Sequence, residues 1–583
     1  MIRASLNSAF RRPIRPRPKV SWTSDWVCKS CRASSSSGVK EDPVKKPYYV
    51  TTPIFYVNAA PHVGHLYTMI LTDILKRWQV LKGNRAILCT GTDEHGMKIQ
   101  QAAAKADTPP KDFCDRNAET FKTLARLAGL SNDHFVRTTD EDHKQAVQYF
   151  WYLLKEREYI YESKHEGWYC VSDETFYPES AIEKRLDPVT GRTFMASQET
   201  GKEVEWTSER NYHFRLSHLK DQLLDFYKEN PEFVVPSSRM NDVVKWVSEG
   251  LEDLSVSRPV ERLTWGIRVP DDESQTIYVW LDALVNYITK AGYPWTPGKE
   301  TAGGWPADVQ VIGKDIVRFH CIYWPAFLLA LGLQPPKQIL THAHWTLQNR
   351  KMAKSTGNVV NPFFALERFG VDAMRYYLAH DGGIANDTDY GNQYIVERYK
   401  KGLQGGIGNL LNRTAKSKMW NVRNAVNSAT TIKEQDLDPT TVEQIEILKQ
   451  LPSKVEVAMA KLNPGLALQQ VMDAVYATNK YLSDNEPWII FKLASQMEDG
   501  PEKDEKSAAI MRTIYYSVEA IRITGILLQP YMPNKASELL DLIGVEKTRR
   551  GFEFTAIGSD TDYGSPLIDW PEFGLFPQFP VED

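Results

Sequence analysis

The chain has few cysteines, little net charge and no long apolar run, and each shortage excludes a class of protein. Six cysteines in 583 residues are too few for a disulfide framework, so we expect a reducing compartment. No apolar segment is long enough to cross a bilayer; the best candidate, Tyr323 to Leu333, is predicted to be a buried helix, and we expect no membrane partner. A net charge of −4 excludes a globally basic surface, so any contact with nucleic acid must come from local patches.

The N-terminal segment differs in composition from the rest of the chain. Residues 1–40 contain nine lysines and arginines, one acidic residue, Asp25, and a serine run from Ser34 to Ser37. An arginine-rich, serine-rich and acid-poor segment is typical of an organelle transit peptide. The alternative is a disordered basic arm that touches RNA. We favour a transit peptide over residues 1–46, because the basic composition ends where a strand is predicted, near Tyr48.

Short β-prone runs alternate with helical patterns over the first two thirds of the chain. The helix after the first run carries Leu66, Ile70, Ile74 and Trp78 at four-residue spacing, which predicts one apolar face against a sheet. The alternation predicts an α/β fold with a doubly wound, Rossmann-like parallel sheet covered by helices on both faces. The predicted strands are Tyr48 to Thr52, Ala86 to Thr90, Thr276 to Trp280, Val309 to Ile312 and Gln338 to Thr341.

Polar, glycine-flanked segments follow four of these strands. Ligands of such sheets bind beyond the carboxyl ends of the strands, so these segments predict a site. The segments are Pro53 to His65, Gly91 to Gly96, Trp280 to Ala283 and Gly313 to Ile316.

His62 and His65 stand at the start of the first predicted helix. Free backbone N–H groups and the helix dipole favour a phosphate there, and Gly64 lets a ligand approach the backbone closely. The pair suits stabilisation of an α-phosphate under attack by a carboxylate, through positioning and electrostatics alone. A capping and packing role is the alternative for an isolated HxGH motif, and a metal-binding pair would need a third ligand.

Two lysines follow far downstream, Lys351 and Lys354, on a short loop that ends in Ser355-Thr356-Gly357. They could clamp the β- and γ-phosphates and the departing pyrophosphate. An isolated KxxK is more often a solvated basic loop. Its position after an HxGH motif favours the phosphate-binding interpretation.

These two motifs resemble the signatures of class I aminoacyl-tRNA synthetases. His62-Val63-Gly64-His65 resembles the first signature, and the segment from Lys351 to Ser355 resembles the KMSKS loop, with Ala353 in place of the family's serine. The resemblance to methionyl-tRNA synthetases is closer and runs from about residue 47 to the C-terminal helices. It implies methionine, ATP with Mg²⁺, and tRNA(Met) as substrates. The segments that carry it are Thr52 to Asn58, Gly91 to Gly96, Val279 to Ala283 and Ile312 to His320.

The resemblance also implies the role of each site residue. His62, His65, Lys351 and Lys354 would be catalytic, and Asp93 would bind the substrate ammonium group. Aromatic rings and apolar groups pack well against a thioether. The implied methionine pocket consists of Ile54, Tyr56, Asp93, Trp280, Ala283, Leu284, Tyr287, Asp315, Ile316, Phe319 and His320. The implied ATP site consists of His62, Gly64, His65, His342, Lys351 and Lys354.

The spacing of the motifs argues against the synthetases for leucine, isoleucine and valine, which carry a large editing insert. Here only a small insert fits, and it contains Cys170 alone where many methionyl enzymes have paired cysteines. A further pair, Cys28 and Cys31, has no second pair nearby, so we expect no structural zinc. The predicted domains are catalytic halves at 47–157 and 248–335, a zinc-free insert at 158–247, a lysine-loop linker at 336–397 and a helical domain at 398–583.

The last third of the chain contains long helical patterns, which predict a bundle. In the family this bundle reads the anticodon, and the matching residues here are Asn409, Arg413 and Trp488. Trp488 could instead be a core residue of the bundle. No further module is recognisable, so we expect a monomer. The patterns are Ile395 to Val422, Val442 to Leu462, Pro464 to Leu482 and Ser507 to Gln529.

The resemblance as a whole implies a methionine–tRNA ligase of the mitochondrial matrix. A class I synthetase for another amino acid is one alternative. A catalytically inactive RNA-binding relative is another, although the intact motifs disfavour it. A small nucleotidyltransferase also uses HxGH but needs no helical domain of this size.

Overall fold

The computed structural model describes residues 45–171, 175–187, 190–296, 298–352, 358–432 and 437–579, with only the backbone of His165, Thr175, Lys351 and Thr431. Nearly all of the predicted transit peptide, including Cys28 and Cys31, lies outside these residues. So do Ala353, Lys354 and the rest of the predicted lysine loop up to Gly357.

Six parallel strands form the main sheet, which confirms the predicted α/β parallel sheet. The order of the strands changes direction at the first strand, Tyr48–Tyr56. The next two strands of this sheet along the chain lie on one side of it, and Val309–Gly313 and the strand after it lie on the other side. Such a reversal opens a crevice at the carboxyl ends of Tyr48–Tyr56 and Val309–Gly313. The spatial order is His134–Arg137, Ala86–Asp93, Tyr48–Tyr56, Val309–Gly313, Gln338–His342 and Val234–Val235.

Helices cover both faces of this sheet, as predicted. Successive strand residues point to opposite faces, so Val50 lies in one hydrophobic core and Tyr49 in the other. The helix Val63–Leu81 lies in the first core and buries all four residues of the predicted apolar face. The same core also contains residues of the helices Met97–Lys105 and Pro110–Leu127. The second core contains Glu141–Glu156, Lys220–Glu229, Ser237–Glu249, Val279–Leu284, Asn286–Thr289 and Trp324–Ala330.

The predicted parallel strand from Thr276 to Trp280 is wrong. The strand here is Asp272–Ile277, and it pairs antiparallel with Ser257–Pro259 and Arg268–Val269 in a separate three-stranded sheet. Trp280 lies in the helix Val279–Leu284. A run of β-prone residues favours a strand but does not specify its partner, and here the partners are strands nearby in the chain.

An antiparallel sheet and a separate hairpin form most of the predicted insert. Cys170, at the end of one long strand, is completely buried, as expected of a small apolar residue. The sheet has the order Leu254–Ser255, Glu205–Phe214, Ile160–Cys170 and Thr175–Tyr177, and the hairpin pairs Ile182–Leu186 with Thr193–Ser197.

The C-terminal part is a helix bundle, as predicted. Five of its helices begin with proline, whose fixed φ and missing N–H suit the first position of a helix. These five are Pro439–Ala460, Pro464–Asp484, Pro487–Ala494, Pro501–Leu528 and Pro533–Leu542. Before them come Pro362–Phe369, Val371–Asp381, Asn392–Arg398, a π-helix Tyr399–Gly408, Asn409–Thr414 and Val422–Ser428.

A buried ion pair joins the bundle to the catalytic sheet. The guanidinium of Arg375 lies 2.7 Å from the carboxylate of Asp73, and both side chains are fully buried. The same guanidinium donates to the carbonyl groups of Pro530 and Tyr531 at the end of the longest helix. Asp73 belongs to the helix that His62 begins, so this pair fixes the bundle against the helix at the site. Over the described residues, no helix has both the length and the apolar character that membrane crossing requires.

Candidate active site

The carboxyl ends of four neighbouring strands of the main sheet surround a cavity of about 320 Å³. The last residue of each strand lines it: Tyr56, Asp93, Gly313 and His342. The cavity therefore lies at the switch point of the sheet, where the sequence predicted a ligand site.

Two histidines begin the helix beside this cavity and cap it reciprocally. Nδ1 of His62 accepts the backbone N–H of Gly64 at 3.1 Å, and Nδ1 of His65 accepts the backbone N–H of His62 at 3.0 Å. The ring centroids are 3.8 Å apart. Because each Nδ1 accepts, a neutral ring carries its proton on Nε2, which makes that nitrogen a donor. Both histidines therefore have the capping role that was the alternative for the HxGH motif. Both rings also line the cavity.

Gly64 has a steric reason of its own to be glycine. A Cβ atom there would lie 2.9 Å from Cε1 of His62. The predicted reason was the close approach of a ligand to the backbone. The histidine cap itself already requires the missing side chain.

His342, the last residue of its strand, is buried and hydrogen-bonded through both nitrogens. Nδ1 donates to the carbonyl of Ala343 at 2.8 Å, so Nε2 of a neutral ring accepts the hydroxyl proton of Thr68 at 2.8 Å. Burial lowers the pKa of His342 to about 4, so the ring is neutral at physiological pH. These bonds join the strand to the helix that His62 caps.

His320 and Tyr287 form a second buried pair on the other side of the cavity. Nδ1 of His320 donates to the carbonyl of Ile316 at 3.0 Å, and Nε2 accepts the hydroxyl of Tyr287 at 2.6 Å. Burial lowers the pKa of His320 to about 4 and raises that of Tyr287 far above its ordinary value. Both groups are therefore neutral, and the wall that they form carries no charge.

Trp280 and Phe319 stack face to face, with ring centroids 3.6 Å apart and planes 9° from parallel. Trp280 lines the cavity, and Phe319 supports it from behind. Trp280, Ala283 and Leu284 reach the cavity from the helix Val279–Leu284 rather than from the predicted strand end.

A fully buried carboxylate fixes this helix. Asp282 lies 2.7 Å from Nδ1 of His95 and 2.9 Å from Nε2 of His143. Burial alone would raise the pKa of Asp282, but the two histidines outweigh burial and hold the pKa below its ordinary value. His95 follows Asp93 closely, and its carbonyl accepts the hydroxyl of Tyr56 at 2.9 Å. These contacts therefore fix three parts of the cavity wall relative to one another: Tyr56, the segment that contains Asp93, and the helix Val279–Leu284.

Most of the predicted substrate-site residues converge on this one cavity. Phe319, the remaining apolar residue of the predicted methionine pocket, does not line the cavity itself but stacks on Trp280, which does. Those that line it are Ile54, Tyr56, His62, Gly64, His65, Asp93, Trp280, Ala283, Leu284, Tyr287, Asp315, Ile316, His320 and His342. Sequence reasoning missed Thr68 and Lys98, which also line it. Their positions near the N-terminal ends of the helices that follow the strands Tyr48–Tyr56 and Ala86–Asp93 were the available signal.

A tight hairpin leads toward the predicted lysine loop. Its strands are Trp345–Leu347 and Arg350–Lys351, joined by Gln348 and Asn349, which both have positive φ angles, 54° and 59°. Asp389 holds the turn by accepting the backbone N–H of Asn349 and the hydroxyl of Thr346, each at 2.8 Å. Met352 follows, buried, and lines the cavity. The chain thus enters the loop at the edge of the cavity.

The three predicted anticodon residues lie together on the bundle. Arg413 places its guanidinium 4.9 Å from the ring centroid of Trp488, and Asn409 donates to Asn479 at 3.1 Å. Trp488 is partly buried at the start of its helix. Within the described ranges, no group of three or more histidine, cysteine or acidic side chains is placed to hold a metal ion.

A parallel sheet with its cavity at the switch point, beside a helix capped by paired histidines, is the architecture of a class I tRNA synthetase. The comparisons with known proteins agree. The family described as "tRNA synthetases class I (M)" matches residues 48–415. The chain belongs to this family, the methionine branch of the class I tRNA synthetases.

Curated relatives match nearly the whole chain. A probable mitochondrial methionine–tRNA ligase of Neurospora crassa is 55% identical, over 96% of this chain and 92% of that protein. The mitochondrial methionine–tRNA ligase of Homo sapiens is 41% identical, over 89% of this chain and 87% of that protein. The methionyl-tRNA synthetase of Mycobacterium tuberculosis, solved in complex with methionyl-adenylate, is 37% identical with a TM-score of 0.80, covering 91% of this chain and 100% of that one.

Proposed function

We propose that this chain activates methionine with ATP to form methionyl-adenylate and then transfers the methionyl group to tRNA(Met), in the mitochondrial matrix. The observation that carries the proposal is the cavity, which joins a carboxylate, an uncharged aromatic pocket and two capping histidines. The carboxylate suits the ammonium group of a free amino acid, the aromatic pocket suits its apolar side chain, and the histidines suit a nucleotide phosphate. An enzyme that joins these two substrates needs the three surfaces side by side.

The first step is an attack by the methionine carboxylate on the α-phosphorus of ATP. A new carboxyl–phosphorus anhydride bond forms, the bond to the β-phosphate breaks, and pyrophosphate leaves. His62 and His65 donate through Nε2 to oxygens of the reacting phosphate, because their Nδ1 atoms are committed to the helix cap. The wall against the nucleotide is completed by Gly64 and by His342, at the end of the strand Gln338–His342. The enzyme supplies position and electrostatic stabilisation, with no covalent enzyme intermediate.

Methionine lies on the other side of the cavity. Asp93, 4% exposed, pairs with the substrate ammonium, since a buried carboxylate is stable beside an opposite charge. The thioether packs against Trp280, Tyr287 and His320, which are neutral and largely buried. Ile54, Tyr56, Ala283, Leu284 and Ile316 fill the remaining wall, and Asp315 lies at its exposed edge.

Lys351 and Lys354 act on the far side of the phosphates, where they stabilise the departing pyrophosphate. The proposal is supported by the hairpin turn held by Asp389 and by Met352, which lies directly after the hairpin and lines the cavity. ATP enters as its Mg²⁺ complex, and no structural zinc is required.

In the second step, a ribose hydroxyl at the 3′ end of the tRNA attacks the activated carbonyl carbon, and AMP leaves. The helical domain, residues 398–583, selects the tRNA by its anticodon through Asn409, Arg413 and Trp488. We further propose that the protein acts as a monomer.

The proposed location rests on the basic N-terminal segment and on relatives named as mitochondrial. Residues 1–46 fused to a fluorescent reporter should direct it to the matrix and be removed there. Cytosolic retention of this fusion would contradict the location.

The experiment for the function as a whole is aminoacylation of purified tRNA transcripts. The mature chain should charge tRNA(Met) with methionine and leave tRNA(Ile), with either methionine or isoleucine, uncharged. Equal charging of both tRNAs would contradict the proposal.

A further inference from the structure

Lys98 lies in the cavity on the same side as Asp93. It belongs to the first turn of the helix Met97–Lys105, which starts soon after the strand that Asp93 ends. Its ammonium nitrogen is 5.2 Å from the ring centroid of Tyr56, and the side chain is half-buried. Among the described residues that line the cavity, Lys98 is the one lysine or arginine.

The charges around the cavity favour this cation as a partner for an amino-acid substrate. A free amino acid has an ammonium group and a carboxylate, and the carboxylate is also the attacking group. Asp93 suits the ammonium, but Asp93 and Asp315 both repel a carboxylate. His320 and His342 are neutral, since burial lowers the pKa of each to about 4. A cation offsets this repulsion, and Lys98 lies in the cavity over the ring of Tyr56.

We propose that Lys98 binds the carboxylate of methionine and orients it for attack on the α-phosphorus. This inference rests on the proposed function. The step transfers no proton: one carboxylate oxygen forms the bond to phosphorus while the other keeps its contact with the Lys98 side chain. Asp93 and Lys98 thereby hold the two ends of the zwitterion on either side of its α-carbon.

The test compares two ligands that differ only at this group. Methioninol has the thioether and ammonium of methionine but a hydroxymethyl group in place of the carboxylate. In Lys98→Met, calorimetry should find methionine affinity lowered about tenfold, as for the loss of a charge-assisted hydrogen bond. Methioninol affinity should equal that of the wild type. Lys98→Arg should restore part of the methionine affinity, because it restores the charge.

A matched control lies on the same helix. Lys105 is exposed and stands in the last turn, away from the cavity, so Lys105→Met should leave both affinities unchanged. Equal losses for methionine and methioninol in Lys98→Met would mean a packing role and overturn the inference, as would unchanged methionine binding. Wild-type protein that binds no methionine would contradict the proposed function itself.

Discussion

The guanidinium of Arg413 lies over the indole of Trp488, 4.9 Å from its ring centroid, at the start of a bundle helix. Trp488 packs against the hydrophobic core of the bundle but is only partly buried, so part of its side chain remains accessible. Single-stranded RNA loops are read by stacking unpaired bases on such rings, worth roughly 1–3 kcal/mol per base. Trp488→Ala should therefore lower kcat/KM for tRNA charging tenfold or more and leave methionine-dependent ATP–pyrophosphate exchange near the wild-type rate.

Leu493→Ala is the control for this variant, because Leu493 is half-exposed on the same helix. It should leave both activities unchanged. If Trp488→Ala instead lowers exchange, charging and thermal stability together, Trp488 is a core residue and does not read the anticodon.

His62→Asn separates the capping role of this residue from its role in the reaction. Asparagine is a good N-cap, so its side-chain oxygen can accept the N–H of Gly64 as Nδ1 of His62 does. It is too short to replace Nε2 at the phosphate. Adenylate formation should slow by about 10²-fold or more, with unchanged methionine affinity and little change in Tm. A loss of methionine affinity as large as the loss of rate would contradict the assignment, and so would a wild-type rate.

Two buried histidines predict how stability depends on pH. His320 and His342 have a pKa of about 4 in the folded chain, against 6.5 for an ordinary histidine, because burial disfavours their charged forms. Between pH 6.5 and 4 the unfolded chain binds more protons, so the free energy of unfolding falls as pH falls through this window. The loss from these two groups levels off below about pH 4.

Urea denaturation at several pH values measures this effect. The double variant His320→Gln/His342→Gln should show a shallower fall, because glutamine does not titrate. Some slope should remain, since burial also lowers the pKa of His134 and His213. An equally steep fall in the double variant would show that other groups are responsible.

We expect the purified protein to contain no stoichiometric zinc. Cys170 is fully buried and is the one cysteine in the sequence from 158 to 247, whereas a structural zinc site needs four ligands. Elemental analysis should find far less than one zinc per chain, and chelators should leave Tm unchanged. One zinc per chain, retained through dialysis, would contradict this expectation.

Local patterns in the sequence predicted the parallel sheet and the position of its site. The strand from Tyr48 and the helix with Leu66, Ile70 and Ile74 follow from propensity and periodicity, which are properties of neighbouring residues. Their order along the chain then places Asp93 and His342 at one edge of one sheet. The Thr276 to Trp280 strand was wrong because a local β-prone run favours a strand but does not encode which strand it pairs with.

The buried networks could not be predicted for the same reason. Asp282 contacts His95 and His143, both more than a hundred residues away in sequence. Arg375 joins Asp73 to the end of a helix in the bundle. Each contact exists only after the whole fold has formed. Lys98 was missed because a lysine on a helix is usually solvated, and only the cavity reveals its position.

The most direct measurement of the central claim is ATP–pyrophosphate exchange with each of the twenty amino acids, in the absence of tRNA. Methionine alone should support rapid exchange, because the cavity combines Asp93 for an ammonium with a neutral aromatic pocket for a thioether. Isoleucine, leucine and valine should support at most a few per cent of that rate, and His62→Asn should abolish most of the methionine signal. Faster exchange with any other amino acid than with methionine, or no exchange at all, would contradict the account.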